Sequence, residues 1–368
     1  MNRNLHNNPF DEGTLAKLDL FETYTKEWLP VFIMKGSRIF IFDYFAGTGY
    51  SITNQPGSPI RILTQVANQT GYIFQKQSKI TLVFNEYDKS KYDKLMTSCN
   101  QFVSENNDLS RMKEAGLLKI EYRNMDFDEL FPKTISTFNN GPSLLFLDQN
   151  GIKFLSDKYF DKLKEVHCVD FLYFVSSSYI NRFCDTPQFK SCISIDKEKI
   201  KREGVRYVHQ IVLEEMRKKI PPTSNLRLYP FSIKKGANIY GIIFGSAHPK
   251  GVDKFLGTAW KMNSINGCAN FDIDCDQEKR QLDIFENKLT KIQKFKNDLQ
   301  ERILSGVIHN NQQAYDYTLD NGHIAQHAKE AINELKTQKK IQYDSTSPLC
   351  NYEHVYGPKS RIIEYVKL

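Results

Sequence analysis

The stretch that most restricts how this chain can fold is Arg38 to Tyr50, RIFIFDYFAGTGY. Unbroken β-branched and aromatic residues fit a strand covered on both faces, and the glycines that follow fit a tight turn out of it. Such a strand needs helices above and below it, and the flanking sequence supplies them. Upstream, Leu15, Leu18, Phe21, Tyr24 and Trp28 share one face of a helix expected over Thr14 to Leu29, which Pro30 helps to end. Downstream, helices are expected over Ile60–Gln69 and Tyr92–Glu105. Strands are expected over Lys79–Glu86, Leu117–Tyr122, Ser143–Asp148 and Val169–Ser176. This alternation predicts an α/β fold with a doubly wound, mostly parallel sheet. Leu226–Ile233 and Asn238–Ser246 are joined only by Lys234-Lys235-Gly236, a link too short for parallel strands, so a terminal antiparallel hairpin is expected. A mostly parallel sheet with that ending is the architecture of Rossmann-like methyltransferases.

The 368 residues exceed one ordinary core, so a second, smaller domain is expected. Periodicity lapses around Asn263–Asp276, which sets the expected domains at 1–275 and 276–368. Beyond it, Leu282, Phe285, Leu289, Ile292, Phe295, Leu299 and Ile303 fall in helical register up to Gly306. A second helix starts near His323, and a polar, strand-prone tail runs from Ile341 to Leu368. Together these predict a small winged helix-turn-helix.

With 40% hydrophobic and 25% charged residues, disorder is excluded. Seven cysteines, an odd number without any CxxC, argue against a zinc ribbon or a thioredoxin-type site and fit free thiols in a reducing cytosol. The N-terminus lacks the apolar stretch of a signal peptide, and the longest apolar runs, Phe171–Val175 and Tyr240–Phe244, are too short to span a bilayer. A cytoplasmic protein with no membrane association is therefore expected. The net charge of +7 permits contact with nucleic acid but does not argue for it.

The chemistry-bearing residues follow the strand ends. Asp43-Tyr44-Phe45-Ala46-Gly47-Thr48-Gly49 sets an acid at the end of the first strand and then small residues that let the backbone approach a ligand closely. Its spacing departs from the dinucleotide G-x-G-x-x-G and matches the S-adenosylmethionine (SAM) loop of methyltransferases. Asp43, Phe45, Ala46, Gly47 and Gly49 are the expected cofactor cradle. Glu86 ends the second strand, where ribose hydroxyls need an acidic acceptor, and Asp126 follows the third, where an adenine contact is expected. Asp148 ends the fourth strand and, with Asn150, is expected to orient a methyl acceptor. The prolines and aromatic residue of amino-methyltransferases are absent there, since Gln149 and Asn150 follow instead. Asp272-x-Asp274-x-Asp276 is rejected as a calcium loop: Gln277 stands at the turn glycine and Asp283 at the closing Glu. In the C-terminal helix, Gln326, Lys329, Asn333, Lys336 and Lys340 form a polar face that suits either a nucleic-acid groove or a protein partner.

Taken together, Trp28-Leu-Pro-Val-Phe, Phe45-Ala-Gly-Thr-Gly, Pro56-Gly-Ser-Pro, Asn85-Glu86, Leu147-Asp148-x-x-Gly151 and Asn181-Arg182-Phe183 resemble the three-Cys-motif partner (TcmP) proteins. The resemblance implies a SAM-binding, methyltransferase-like domain joined to a winged helix. It also implies a bacterial setting tied to conflict with phage, and a partner with a three-cysteine, radical-SAM-like motif. Where that family tends to carry Asp-Pro-Phe-Gly, this chain has Asp148-Gln-Asn-Gly151, which touches the acceptor side and leaves the cofactor loop intact. The expectation is a methyltransferase acting on nucleic acid or a partner protein. The alternatives are a catalytically silent sensor or adaptor and a winged-helix DNA-binding regulator.

Overall fold

A computed structural model describes residues 9–148, 152–166, 168–236, 238–277 and 289–368. Asn150, Leu282 and Phe285 lie outside the described residues. Two compact units make up the chain, Met1–His248 and Pro249–Leu368. The helix Pro249–Met262 thus belongs with the C-terminal unit, whereas the lapse in periodicity had suggested a boundary some 25 residues later. That lapse marks a loop inside the second unit: Asn263 and Asn266 both donate to the Phe271 carbonyl, at 3.1 and 2.8 Å.

In the first unit a seven-stranded sheet has the order β3-β2-β1-β4-β5-β7-β6. Its strands are β1 (Arg38–Asp43), β2 (Lys79–Asn85), β3 (Leu118–Arg123), β4 (Ser143–Leu147), β5 (Val169–Ser176), β6 (Arg227–Lys235) and β7 (Asn238–Ser246). β1 to β5 are parallel; β7 runs antiparallel to both β5 and β6. This is a Rossmann-like, class I methyltransferase-like sheet with the expected hairpin. The order reverses between β1 and β4, and at such a switch point the loops diverge to either side and leave a crevice beyond the strand ends.

Helix α1 (Glu12–Ile33) lies against β4 and β5, and three sets of contacts hold it. Phe21 stacks on Phe146 at 4.0 Å. Tyr24 Oη and Trp28 Nε1 donate to Asp170 at 2.6 and 2.8 Å. Arg61, from α2 (Ser58–Ala67), donates to Asp19 and Glu22 at 2.6 and 2.7 Å. Pro30 does not end α1, which continues to Ile33. A proline removes one backbone donor, but burial of Ile33 and the Ser78 hydroxyl, which donates to the Ile33 carbonyl at 2.9 Å, hold the extra turn in place.

The second unit contains the helices Lys291–Leu304, Asn311–Asp320 and Ala325–Thr337, followed by an antiparallel pair, β8 (Ile341–Gln342) and β9 (Val366–Lys367). This is the winged helix-turn-helix. Its first helix starts later than periodicity predicts: Thr290 is the N-cap, in a capping box with Gln293, and Leu289 is left outside and exposed. No helix among the described residues is long and apolar enough to cross a membrane.

Candidate functional site

The ends of β1, β2, β4 and β5 open on two neighbouring cavities, of about 550 and 660 Å³, that share Phe45 and Glu86. The turn after β1 forms because glycine is required there. Gly47 and Gly49 have φ of 66° and 85°, a left-handed conformation that side chains resist. A Cβ on Gly49 would come within 3.0 Å of Ser98, and one on Gly57 within 2.9 Å of the Gly49 carbonyl. The turn is also tied to β2. Ala46 N–H donates to the Asn85 carbonyl at 2.9 Å, and Gly47 N–H donates to Glu86 Oε2 at 3.1 Å. The other Glu86 oxygen accepts from Asp88 N–H at 2.9 Å. A carboxylate has about four acceptor positions, so Glu86 keeps lone pairs for ligand hydroxyls.

Asp43 is wholly buried at the end of β1. Its Oδ1 accepts from Phe45 N–H at 3.2 Å, while its Oδ2 has no hydrogen-bond partner among the described residues. Burial pushes its pKa up to about 7, and the charges of Asp148 and Glu86 push the same way; the neighbouring Ser58 hydroxyl and the Phe45 amide oppose them. Asp43 lies behind an acid-rich crevice lined by Glu86 and Asp148, and such a crevice fits a cationic ligand bearing hydrogen-bond donors. The amino acid half of SAM is such a group, and the glycine turn leaves room for its backbone contacts.

Asp126 lies in the second cavity and accepts from Asp128 N–H at 2.8 Å, capping the helix Phe127–Thr134. Phe45, Phe127 and Phe183 give this cavity aromatic walls, with Met125 beside them. Among the expected cofactor residues, Asp43 lies buried behind the turn, Phe45 and Glu86 bridge the two cavities, Ala46, Gly47 and Gly49 line the first, and Asp126 lines the second.

Asp148 closes the first cavity from the end of β4, where sequence placed it. Its partner was not anticipated: Lys17 of α1 donates to its carboxylate. Lys17 is only 7% exposed and its ammonium lies 4.6 Å from the centre of the Phe174 ring, which itself stacks on Tyr240 at 5.6 Å and 23°. Phe174, Ser176, Ser178 and Tyr240 all line the cavity from β5, β7 and the helix Ser177–Phe183 that follows β5. The helical pattern of α1 counted only its apolar face. The one signal for Lys17 was a lysine adjoining that face, at the position before Leu18.

In the second unit, Gln326, Lys329 and Lys340 are exposed, but Lys340 is not on the helix face, because the helix ends at Thr337. Gln326 donates to Glu330 at 2.8 Å. The other two members of the expected polar face are engaged within the unit. Lys336 donates to the Ser345 carbonyl at 3.0 Å and lies 3.8 Å from the centre of the Tyr343 ring. Asn333 accepts from Tyr343 Oη at 3.0 Å.

Residues 269–348 match a family described as the GMT-like wHTH domain. No curated protein matches the chain. Among solved structures, the O-methyltransferase TomG of Streptomyces achromogenes, in complex with SAM, aligns at 12% identity and a TM-score of 0.33, covering 64% of this chain and 90% of that one. A protein from Listeria monocytogenes described as a class I SAM-dependent methyltransferase aligns at 12% identity and a TM-score of 0.29, covering 66% of this chain. This chain spans 62% of the Listeria protein's length. The fold assignment of the first unit rests on its strand order and directions.

Proposed function

We propose that the first unit binds SAM and transfers its methyl group to an acceptor, and that the winged helix presents nucleic acid or a partner protein. The observation that carries this reading is the set of three acids around one glycine turn: Asp43 buried with an open oxygen, Glu86 gripping the turn, and Asp148 across the same crevice. When bound, SAM supplies an electrophilic methyl on a cationic sulfonium. Asp43 and the Phe45–Gly49 turn hold its amino acid half, Glu86 accepts from the ribose hydroxyls, and Asp126 approaches the adenine. Asp148 accepts a hydrogen bond from the acceptor and holds its nucleophilic atom in line. The rate gain from such a site comes mainly from orientation.

Calorimetric titration with SAM and S-adenosylhomocysteine tests this. Micromolar binding that Gly47→Arg abolishes is expected. Absence of binding by either ligand to folded protein overturns the reading and favours a silent adaptor. For the winged helix, the exposed Gln326, Lys329 and Lys340 favour nucleic acid, with affinity that falls as salt rises. Affinity independent of salt overturns that part. The TcmP resemblance adds a three-Cys-motif protein as partner in an anti-phage system. Co-purification of the two proteins is the check, and failure to associate removes it.

A further inference from the structure

Lys17 makes the two contacts that an incoming amine would need. Its ammonium is bound to the Asp148 carboxylate and lies over the Phe174 ring, which Tyr240 backs. Carboxylate plus aromatic face is a recognised way to hold a cationic nitrogen. The pair does not sit in a packed core; both residues line the cavity that also contains the glycine turn. Nor does the fold need this pair to place α1, because stacking on Phe146, bonds to Asp170 and the Arg61 clamp already do so. Even a partly buried ion pair costs desolvation and is a poor way to add stability. The backbone of Lys17 is fixed in α1, but its four-carbon stem lets the ammonium leave by rotation alone.

We infer that Asp148 and Phe174 form a seat for a primary alkylammonium, and that Lys17 fills it as a tethered competitor that the acceptor must expel. Naming the seat as the acceptor's rests on the methyl-transfer reading, in which the seated ammonium would first give a proton to the Asp148 carboxylate so that its nitrogen lone pair can take the methyl; the seat itself rests on the contacts above. A lysine side chain of a protein and a free polyamine share this chemistry.

The test is binding to the protein without SAM, measured calorimetrically with three probes. These are Nα-acetyl-lysine methylamide, pentane-1,5-diamine and, as the neutral control, Nα-acetyl-norleucine methylamide. In Lys17→Met, at least one amine should bind ten-fold or more tighter than to the unaltered protein. The lysine amide leads if the source is protein, the diamine if it is a polyamine. The norleucine probe should not bind, Lys17→Arg should show no gain, and adding Asp148→Asn to Lys17→Met should remove the gain. A structural role for Lys17 predicts no gain at all. If Lys17→Met does not fold, Lys17→Gln takes its place with the same expectation. A folded variant that binds no amine, or binds amine and norleucine alike, overturns the inference, as does failure of both variants to fold. A parallel SAM titration separates the two ideas: amine binding without SAM binding leaves the seat and removes the methyl-transfer reading, and the reverse result removes only the seat.

Discussion

The two halves of the first cavity are built differently. The proposed cofactor half is nearly continuous in sequence: Asp43, the glycine turn and Glu86 come from adjacent parallel strands, and bonds from the Ala46 and Gly47 amides to the Asn85 carbonyl and the Glu86 carboxylate join them. The proposed acceptor half is assembled from α1, β4, β5 and β7, elements separated by more than two hundred residues between Lys17 and Tyr240. One half is set by what a glycine turn can do. The other is set by where a helix is pinned, so the two should respond differently to mutation.

Changes in the cofactor half should have the largest effect on SAM. Gly47→Arg places a long side chain at φ 66° in the crevice and should abolish detectable SAM binding in calorimetry while circular dichroism stays native-like. Glu86→Ala removes two backbone acceptor contacts and the ribose acceptor, so SAM affinity should fall about ten- to a hundred-fold, with hydrogen bonds to a charged group worth about 1.5–3 kcal/mol each. An unchanged dissociation constant would remove Glu86 from the site. A correspondingly small effect of Lys17→Met on SAM would sharpen the contrast between the halves, and a loss equal to that of Glu86→Ala would break it.

Asp43 yields a signed pH prediction. Its pKa of about 7 in the fold lies above the ordinary 3.8, so the folded protein holds a proton that the unfolded chain releases. Its contribution to stability is therefore present at low pH and is lost as pH rises from about 4 to about 7. Asp43→Asn should be more stable than the parent at pH 8, by up to about 4 kcal/mol at 1.36 kcal/mol per pKa unit, and close to it at pH 4. Denaturant melts at the two pH values check this. A cationic ligand beside the Asp43 carboxylate favours its charged form, so SAM affinity should rise with pH through the same range. Asp43→Asn should flatten that rise.

The smallest effects belong to the winged helix. Lys329→Ala and Lys340→Ala should each lower the salt slope of nucleic-acid binding by about one, without selecting among sequences. Lys336→Ala, whose ammonium is engaged with Ser345 and Tyr343, should instead cost up to about 1 kcal/mol of stability in that unit. A binding defect from Lys336→Ala equal to that from Lys329→Ala would return Lys336 to the interface.

Much of this was legible along the chain. The strand RIFIFD, the acids at the strand ends and the antiparallel hairpin are all local patterns, and local backbone physics acts on a few residues at a time. Helix boundaries were less legible where another signal overrode apolar periodicity, as when burial of Ile33 carried α1 past Pro30, or when the local capping box at Thr290 excluded Leu289. In the C-terminal helix, spacing put Asn333 and Lys336 on a polar face, but not the Tyr343 and Ser345 partners that occupy them.

By itself the sequence determined the sheet and the glycine turn with its flanking acids, because a buried strand followed by glycines has few conformations open to it and its neighbours along the chain supply the acids. Only the tertiary structure decided the other half, where Lys17 meets Asp148. Whether Lys17 faces solvent or Asp148 depends on the angle at which α1 crosses β4 and β5, and that angle is set by Phe146, Asp170 and Arg61, side chains 39 to 146 residues away from the helix residues they hold. No local pattern records a contact of that range.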